Sequence, residues 1–467
     1  MNLRVHILAA CGMTFMTHVA SGANLLEVYQ RALQNDPVIR EADANRLASR
    51  ESKPQALAAL LPQVQVSGGY TKSDEEFERT TLTPSIPSDP TSPLVARQIS
   101  TDSDLTSKQY QISLRQTLFR WDQWATLKRA DAEVAQAEAN YQAAQQDLIH
   151  RTAQRYFDVL AAQDTVDAAQ ATLDAFARQL EQADKRFEVG LIAITDVQEA
   201  RAAHDQAAAS VIQAKRALAT AQELLRELTG EPFSSLAAPV DDLPLRSPDP
   251  ENEEQWVQTA LDQNLSVIAA RLATDIAKQD VRVARSGHYP SIDLVASHND
   301  SDVDGTQRSR NVAGTITRSP ADQAQLGDSI GIQITVPIYS GGATSSRVRQ
   351  RVYQHRAARE RLERTARETE RATRDAYLGV LSEISRVRAL RQALESSRTA
   401  LQATEAGFEV GTRTTVDVLD ARRRLFEAQT NYSRSRYDYL INVLRLQLAT
   451  GTLNVGDLEE INALLRE

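Results

Sequence analysis

One phrase occurs twice in this chain, and that repetition limits its possible folds more than any other feature. Residues 187–197 read FEVGLIAITDV and residues 408–418 read FEVGTRTTVDV, 221 positions apart. At the same offset Tyr156 meets Tyr377, Leu160 meets Leu381, Leu173 meets Leu394, Ala200 meets Ala421, and Thr229-Gly230 meets Thr450-Gly451. Upstream the offset becomes 228, which sets Ala32-Leu33 on Ala260-Leu261 and LPQVQVSGGY from Leu61 on YPSIDLVASH from Tyr289. Two polar loops, Thr71 to Lys108 and Asn299 to Asp328, absorb the difference. A chain of 467 residues built this way is two copies of one unit, so each structural element should occur in both halves.

The halves run over 24–230 and 254–451, separated by a Pro-rich linker at 231–253 and followed by a tail at 452–467. Residues 1–23 have one basic residue (Arg4), an apolar stretch from Val5 to Met16 and small residues at Ser21 and Ala23, and they read as a secretory signal. Cys11 follows too short an apolar run to favour a lipoprotein cleavage site. Its removal with the signal would leave a mature chain with no cysteine. Past the signal no run approaches the roughly 18 to 20 apolar residues of a spanning helix. A membrane crossing would have to use strands.

Within each half the hydrophobic period changes. Ile330, Ile332, Ile334, Val336 and Ile338 alternate with small or polar residues, as do Tyr110, Ile112 and Leu114; Val64 with Val66 and Ile292 with Leu294 begin two more such stretches. This predicts four strands, at about 63–71, 109–119, 291–299 and 329–339. The remainder is helical. Ala130, Val134, Ala137, Tyr141, Ala144 and Leu148, and Val387, Leu390, Leu394, Ser397, Leu401, Thr404 and Phe408, follow coiled-coil spacing. Uninterrupted helices from about Trp124 to Phe187 and Thr344 to Phe408 would each reach roughly 95 Å. The repeated phrase ends each of them, at tips about 187–197 and 408–418. There Gly190 and Gly411 suit a left-handed turn, and Thr195-Asp196 and Thr415 to Asp417 suit the cap of a returning helix. The fold class is mainly α with transmembrane β. Four strands cannot close a barrel in lipid, where an unpaired edge is untenable, so several chains must combine.

No catalytic, cofactor-binding or metal-binding constellation is visible. The seven His lack ligand spacing, and there is no phosphate loop or nucleophile elbow. A net charge of −9 argues against nucleic acid. The ten Arg between Arg347 and Arg374 alternate with Glu360, Glu363, Glu368 and Glu370 and read as a solvated face.

The phrases RFEVGLIAITDVQEARAAHD and GFEVGTRTTVDVLDARRRL, with VPIYSGG (Val336 to Gly342) and the ending LATGTLNVGDLEEINALL, resemble the TolC family of outer-membrane exit ducts from Asn24 to Leu465. The resemblance implies a homotrimer with a 12-stranded barrel continuous with a coiled-coil periplasmic tunnel, and an equatorial place for the linker and tail. It implies a passive, non-enzymatic duct for type I protein secretion or multidrug efflux in the outer membrane of a Gram-negative bacterium. Opening would follow docking to a periplasmic adaptor and an inner-membrane ABC or proton-driven transporter. Both tips and the C-terminal ending are more similar to the multipurpose and type I secretion branch than to the lipidated drug-efflux branch. Carried over residue by residue, Arg413 with Thr195 and Asp196 is the implied tip latch, and Asp417 and Asp420 are the implied pore constriction. Independently, Asp417 and Asp420 are three apart and share one side of a helix; threefold copies would select cations. Val189, Gly190, Leu191, Val410, Gly411 and Thr412 resemble the surface offered to adaptor helices. Phe408 stands where the family pattern often has Tyr, so one latch hydroxyl is missing and a looser resting tip is expected. A coiled-coil fibre without a pore would explain the heptads but not the amphipathic strands.

Overall fold

The computed structural model describes residues 22–86, 88–240, 242–310 and 315–465, so the expected signal lies outside the described residues except for Gly22 and Ala23. The described chain divides into two compact units: one of residues up to Ala48 with Ala135–Arg271 and Arg359 onward, the other of Ser49–Val134 and Leu272–Ala358. In chain order the elements are α1 (Leu25–Asn35), α2 (Pro37–Arg50), α3 (Ser52–Ala58), β1 (Gln63–Pro84), β2 (Leu94–Phe119), α4 (Trp121–Glu188), α5 (Ile194–Thr229), α6 (Glu253–Gln263) and α7 (Leu265–Ser286). They continue with β3 (Ser291–Arg310), β4 (Ile316–Pro320), β5 (Gln323–Thr335), α8 (Ala343–Glu409), α9 (Thr415–Thr450) and α10 (Val455–Asn462). The duplication is plain in the helices: α4 and α8 have 68 and 67 residues, α5 and α9 have 36 each.

β1 and β3 begin, and β2 ends, where the alternation of apolar residues predicts, but each runs further at its other end. β1 and β2 pair without interruption from Gln63 opposite Arg115 to Pro84 opposite Leu94. The stretch from Thr71 to Lys108, expected as a polar loop, is therefore mostly an extended hairpin. β3 likewise continues to Arg310. The reason is that backbone hydrogen bonds hold the ladder wherever a partner strand is present, whichever faces carry polar side chains. The expected strand at 329–339 is displaced: β4 and β5 together form the return arm, broken at Ala321-Asp322, and pairing stops at Thr335 opposite Ser291. Beyond it Pro337 has no N–H to donate, and Pro290 ends the facing strand.

The sheet order is β1-β2-β3, with β4 and β5 both on β3. Among the described residues β1 pairs only with β2, and β5 only with β3, so both edges are open. Register fixes the two faces. Val64, Leu114, Ala296 and Ile330 are lateral neighbours, and the next row has Val66 and Ile112 beside His298 and Asp328. Leu294 with Ile332 and Ile292 with Ile334 extend this apolar band. The opposite face carries Gln65, Ser113, Ser297 and Ser329, then Ser67, Gln111, Asn299 and Gly327. One face is apolar and the other small and polar. β5 is exposed along its whole length, with Ile330 79% and Ile332 63% accessible.

In the long helices the seam reading holds: all of the heptad residues named above are buried or half-buried. The main core joins Leu25, Val28 and Ala32 of α1 to Leu148, Tyr156 and Phe157 of α4, Val380 of α8, Tyr437, Leu440 and Leu444 of α9, and Leu458 of α10. Tyr156 does more than pack. Its hydroxyl donates to the carbonyls of Ala237 (2.6 Å) and Ala23 (3.0 Å), tying helix, linker and N-terminal segment together. Ala23, expected at the end of the signal, is thus built into the fold, where it also bridges Leu236. The linker is held by Val240 N–H on the Leu464 carbonyl (3.0 Å) and Arg246 N–H on the Tyr439 hydroxyl (2.9 Å).

Gly230 and Gly451 close α5 and α9 with φ of 77° and 78°. A Cβ on Gly451 would lie 2.5 Å from the Gln263 carbonyl oxygen, whereas one on Gly190, also left-handed, would meet nothing within 4 Å. Gly451→Ala is therefore expected to cost more than about 2 kcal/mol and Gly190→Ala about 1 kcal/mol. Thermal melting of the two variants checks the order; equal losses would contradict the steric account.

Candidate functional site

The two helical tips fold by the same local rules and differ where their sequences differ. Gly190 (φ 76°) and Gly411 (φ 78°) take the left-handed turn expected of them. Leu191 N–H bonds the Arg186 carbonyl (2.9 Å) and Gly190 N–H that of Phe187 (2.9 Å); Thr412 N–H bonds Gly407 (2.8 Å) and Gly411 N–H bonds Phe408 (3.1 Å). These are paired Schellman closures, which satisfy the last carbonyls of α4 and α8.

Returning helices start a few residues later. At the first tip the Asp196 carboxylate accepts from the Ala193 N–H at 3.2 Å. Thr195 lies inside the helix and does not cap it, because Ala193 occupies the cap position. At the second tip Thr414, not Thr415, is the cap: its Oγ1 accepts from Asp417 N–H (3.2 Å), while Asp417 Oδ2 accepts from Thr414 N–H (2.9 Å) and from its hydroxyl (3.0 Å). Thr415 is buried instead. The Thr414-x-x-Asp417 spacing is a capping-box signature readable in the sequence. Asp196 and Asp417, 221 apart, hold the same position in the two copies. Thr414→Ala should weaken the second tip by about 1 kcal/mol, seen as faster amide exchange over 414–418; unchanged exchange would rule out the cap.

The bonds from Thr414, backbone first and hydroxyl second, hold the Asp417 carboxyl below its ordinary value of 3.8, with Arg413 adding to the effect. The sign follows directly. A depressed carboxyl contributes stability above its unfolded value, and that contribution is lost as pH falls through the lower folded value. The cap and its charge therefore persist through neutral and mildly acidic pH.

Of the expected latch residues, Arg413 and Asp196 make no ion pair with each other in one chain; among the described residues Arg413 forms no close ion pair and acts only through space on Asp417. Its stem packs across Gly407, where a Cβ would meet Arg413 Cγ at 2.8 Å. At the equivalent position of the first tip Ile192 packs against Ala183, Val197 and Ala200. A guanidinium cannot be buried in such a contact, so the second tip keeps its cation exposed at the surface. Phe408 is not simply a residue short of a hydroxyl: the Arg186 guanidinium stacks over its ring at 4.8 Å, joining the ends of α4 and α8. That contact crosses between the copies and has no local signature in the sequence. Arg186→Ala is expected to loosen the tip by about 1 kcal/mol, read as faster proteolytic nicking there; unaltered nicking would exclude a clamping role.

Val189, Leu191 and Val410 are 69%, 72% and 75% exposed, flanking the glycines with Thr412. Asp417 and Asp420 are half-exposed on α9. Asp420 also meets Arg423 at 3.4 Å, and Arg422 meets Glu405 of α8 at 2.5 Å, two pairs not anticipated from the sequence. Among the described residues no cluster of His, Cys, Asp and Glu could hold a metal ion, and no helix is long and apolar enough to cross a membrane.

A duplicated chain with an open-edged amphipathic sheet and two long hairpins with turned tips defines a channel subunit of the helical-tunnel kind. The family profile described as "Outer membrane efflux protein" matches residues 28–231 and 256–452, and the chain belongs to that family. It is 37% identical over 443 residues to Outer membrane protein TolC of Vibrio cholerae, covering 95% of this chain and 94% of that one. It is 36% identical over 459 residues to Outer membrane protein TolC of Escherichia coli, covering 98% and 88%. Alkaline protease secretion protein AprF of Pseudomonas aeruginosa is 28% identical, covering 95% and 88%. Among solved structures, the Campylobacter jejuni CmeC outer membrane channel superposes with a TM-score of 0.71 at 16% identity, over 100% of this chain and 98% of that one. The Vibrio cholerae outer membrane protein VceC does so at 0.69 and 19%, over 91% and 96%. The expected fold class is borne out, and the chain is an outer-membrane exit duct for secretion and efflux, with a periplasmic extension.

Proposed function

We propose that three copies close their open sheets edge to edge into one 12-stranded barrel whose apolar band meets lipid. The supporting observation is the pair of unpartnered edges on a sheet with one apolar face, since in hydrocarbon each unpaired backbone group costs several kcal/mol. Strands of 22 and 26 residues far exceed the roughly 9 to 11 that cross a bilayer. The apolar band occupies only their helix-proximal ends, and the polar remainder extends beyond the lipid. A fibre without a pore has no use for such a band.

In this reading the helical hairpins of the three copies form the periplasmic conduit. Arg413 of one copy latches onto Thr195 and Asp196 of another, which agrees with Arg413 forming no close ion pair among the described residues of its own chain, where it acts only at longer range on Asp417. Asp417 and Asp420 ring the entrance. The exposed Val189, Gly190 and Leu191, and Val410, Gly411 and Thr412, receive a periplasmic adaptor, whose docking with an inner-membrane ABC or proton-driven transporter opens the tip. The duct itself is passive and catalyses nothing. Protein cargo follows from the likeness to AprF, whose name is that of a protease secretion protein; efflux of small compounds follows from the family description.

The test is extraction of the mature chain in detergent, with mass determination, followed by crosslinking of a periplasmic adaptor from a probe at the neighbouring exposed position 189. A trimer mass and a crosslink abolished by adding Leu191→Glu are expected. A single water-soluble subunit would overturn the reading, and a crosslink unaffected by Leu191→Glu would remove the docking assignment.

A further inference from the structure

We propose that Arg423 and Arg424 determine the charge selectivity of the entrance by forming a basic ring directly behind Asp417 and Asp420. The inference rests on the reading of those aspartates as the constriction. Successive residues of a helix are about 100° apart, so Asp417, Asp420 and Arg424 fall within about 60° of one another on α9, with Arg424 about 6 Å beyond Asp420. The other side of this helix is used up, since Thr415, Val418 and Leu419 are buried in the chain. Arg423 reaches Asp420 at 3.4 Å, both side chains being about half exposed. Arg422 is different: it turns to Glu405 at 2.5 Å, so its charge is taken up within the hairpin. Arg424 is exposed and, among the described residues, makes no ion pair.

Within about two helical turns, two carboxylates are thus followed by two guanidiniums, neither of which makes a close ion pair with any other carboxylate among the described residues; the exposed Glu427 lies one turn further on. All four lie within or close to one Debye length, about 8 Å at physiological salt, so a permeating ion responds to their sum and not to the aspartates alone. Threefold copies of Asp417 and Asp420 would by themselves make a strongly cation-attracting throat. With the arginines the throat becomes bipolar, acidic toward the opening and basic behind. It holds multivalent cations weakly and does not repel anionic cargo.

The experiment measures reversal potentials across planar bilayers under a KCl gradient, with Mg2+ block from the tip side, for the full-length protein and three variants: R423Q/R424Q, R424E alone and D417N/D420N. All four positions are on the exposed face, and glutamine keeps much of the side-chain length. Removing the arginines is expected to raise the K+ over Cl− permeability ratio about fivefold and to strengthen Mg2+ block, with R424E moving both the same way. If D417N/D420N lowers the ratio while neither arginine variant changes it, the basic ring is overturned and the constriction stands. If no variant alters ratio or block, the constriction assignment fails and the inference with it.

Discussion

Ile332→Arg is expected to abolish assembly into the outer membrane. Ile332 lies on the apolar face of the edge strand β5, 63% exposed, with Leu294 as its lateral neighbour in the apolar band. A guanidinium on the lipid side of a barrel costs about 2 to 4 kcal/mol near the midplane. The proposed trimer would carry three, and in that reading the cost would fall on the strand that also pairs with a neighbouring copy. The total is comparable to the margin by which most folded proteins are stable. The control is Gly331→Ser, one residue away on the polar face, where Gln63, Arg115 and Val295 are the lateral neighbours and nothing lies within 4 Å of a new Cβ. Heat-modifiable migration of membrane fractions separates the outcomes: loss of the oligomer band for Ile332→Arg alone supports the lipid-facing assignment, and equal behaviour of both variants would refute it.

Arg413→Glu should open the resting tip. A charge-assisted hydrogen bond contributes about 1.5 to 3 kcal/mol, and in the proposed latch reversal of the charge would set a carboxylate at position 413 against the Asp196 carboxylate of a neighbouring copy. Summed over three subunits the change would move the closed-to-open ratio by well over about tenfold. Single-channel conductance at neutral pH should rise accordingly, and antibiotics too large for the closed duct should enter cells that carry the variant. The stem of Arg413 packs on Gly407, so Arg413→Gln is the companion variant that keeps packing and removes charge. If conductance stayed at the wild-type level in both, Arg413 would be a packing residue and not a latch.

The parts of this protein legible in the sequence are those whose causes are local. A left-handed residue ending a helix demands glycine within a few positions, so Gly190 and Gly411 could be placed from the order of residues alone. Heptad spacing identifies its own seam, and α4 and α8 begin within three residues of their expected starts. The helix-proximal ends of β1, β2 and β3 were legible because an apolar face alternates with a polar one there. Their far ends were not, because beyond the band both faces carry Ser, Thr, Asp and Glu, and alternation disappears while backbone pairing continues. Thr414 was missed in favour of Thr415 by one residue, although its spacing to Asp417 carried the signal.

Which strand lies beside which was decided elsewhere. The pairing of β2 with β3 joins the two copies across residues far apart in sequence, as does Arg186 over Phe408, while Arg422 on Glu405 ties the two arms of one hairpin. By itself the sequence determined that there are two equivalent units, where each turns, and which residues prefer water, since these follow from the conformational and solvation preferences of short segments. The tertiary structure alone decided that, among the described residues, the sheet keeps both edges unpaired, that Arg186 stacks over Phe408, and that Arg422 turns to Glu405. Those outcomes depend on which groups are brought within bonding distance, and no short segment contains that information.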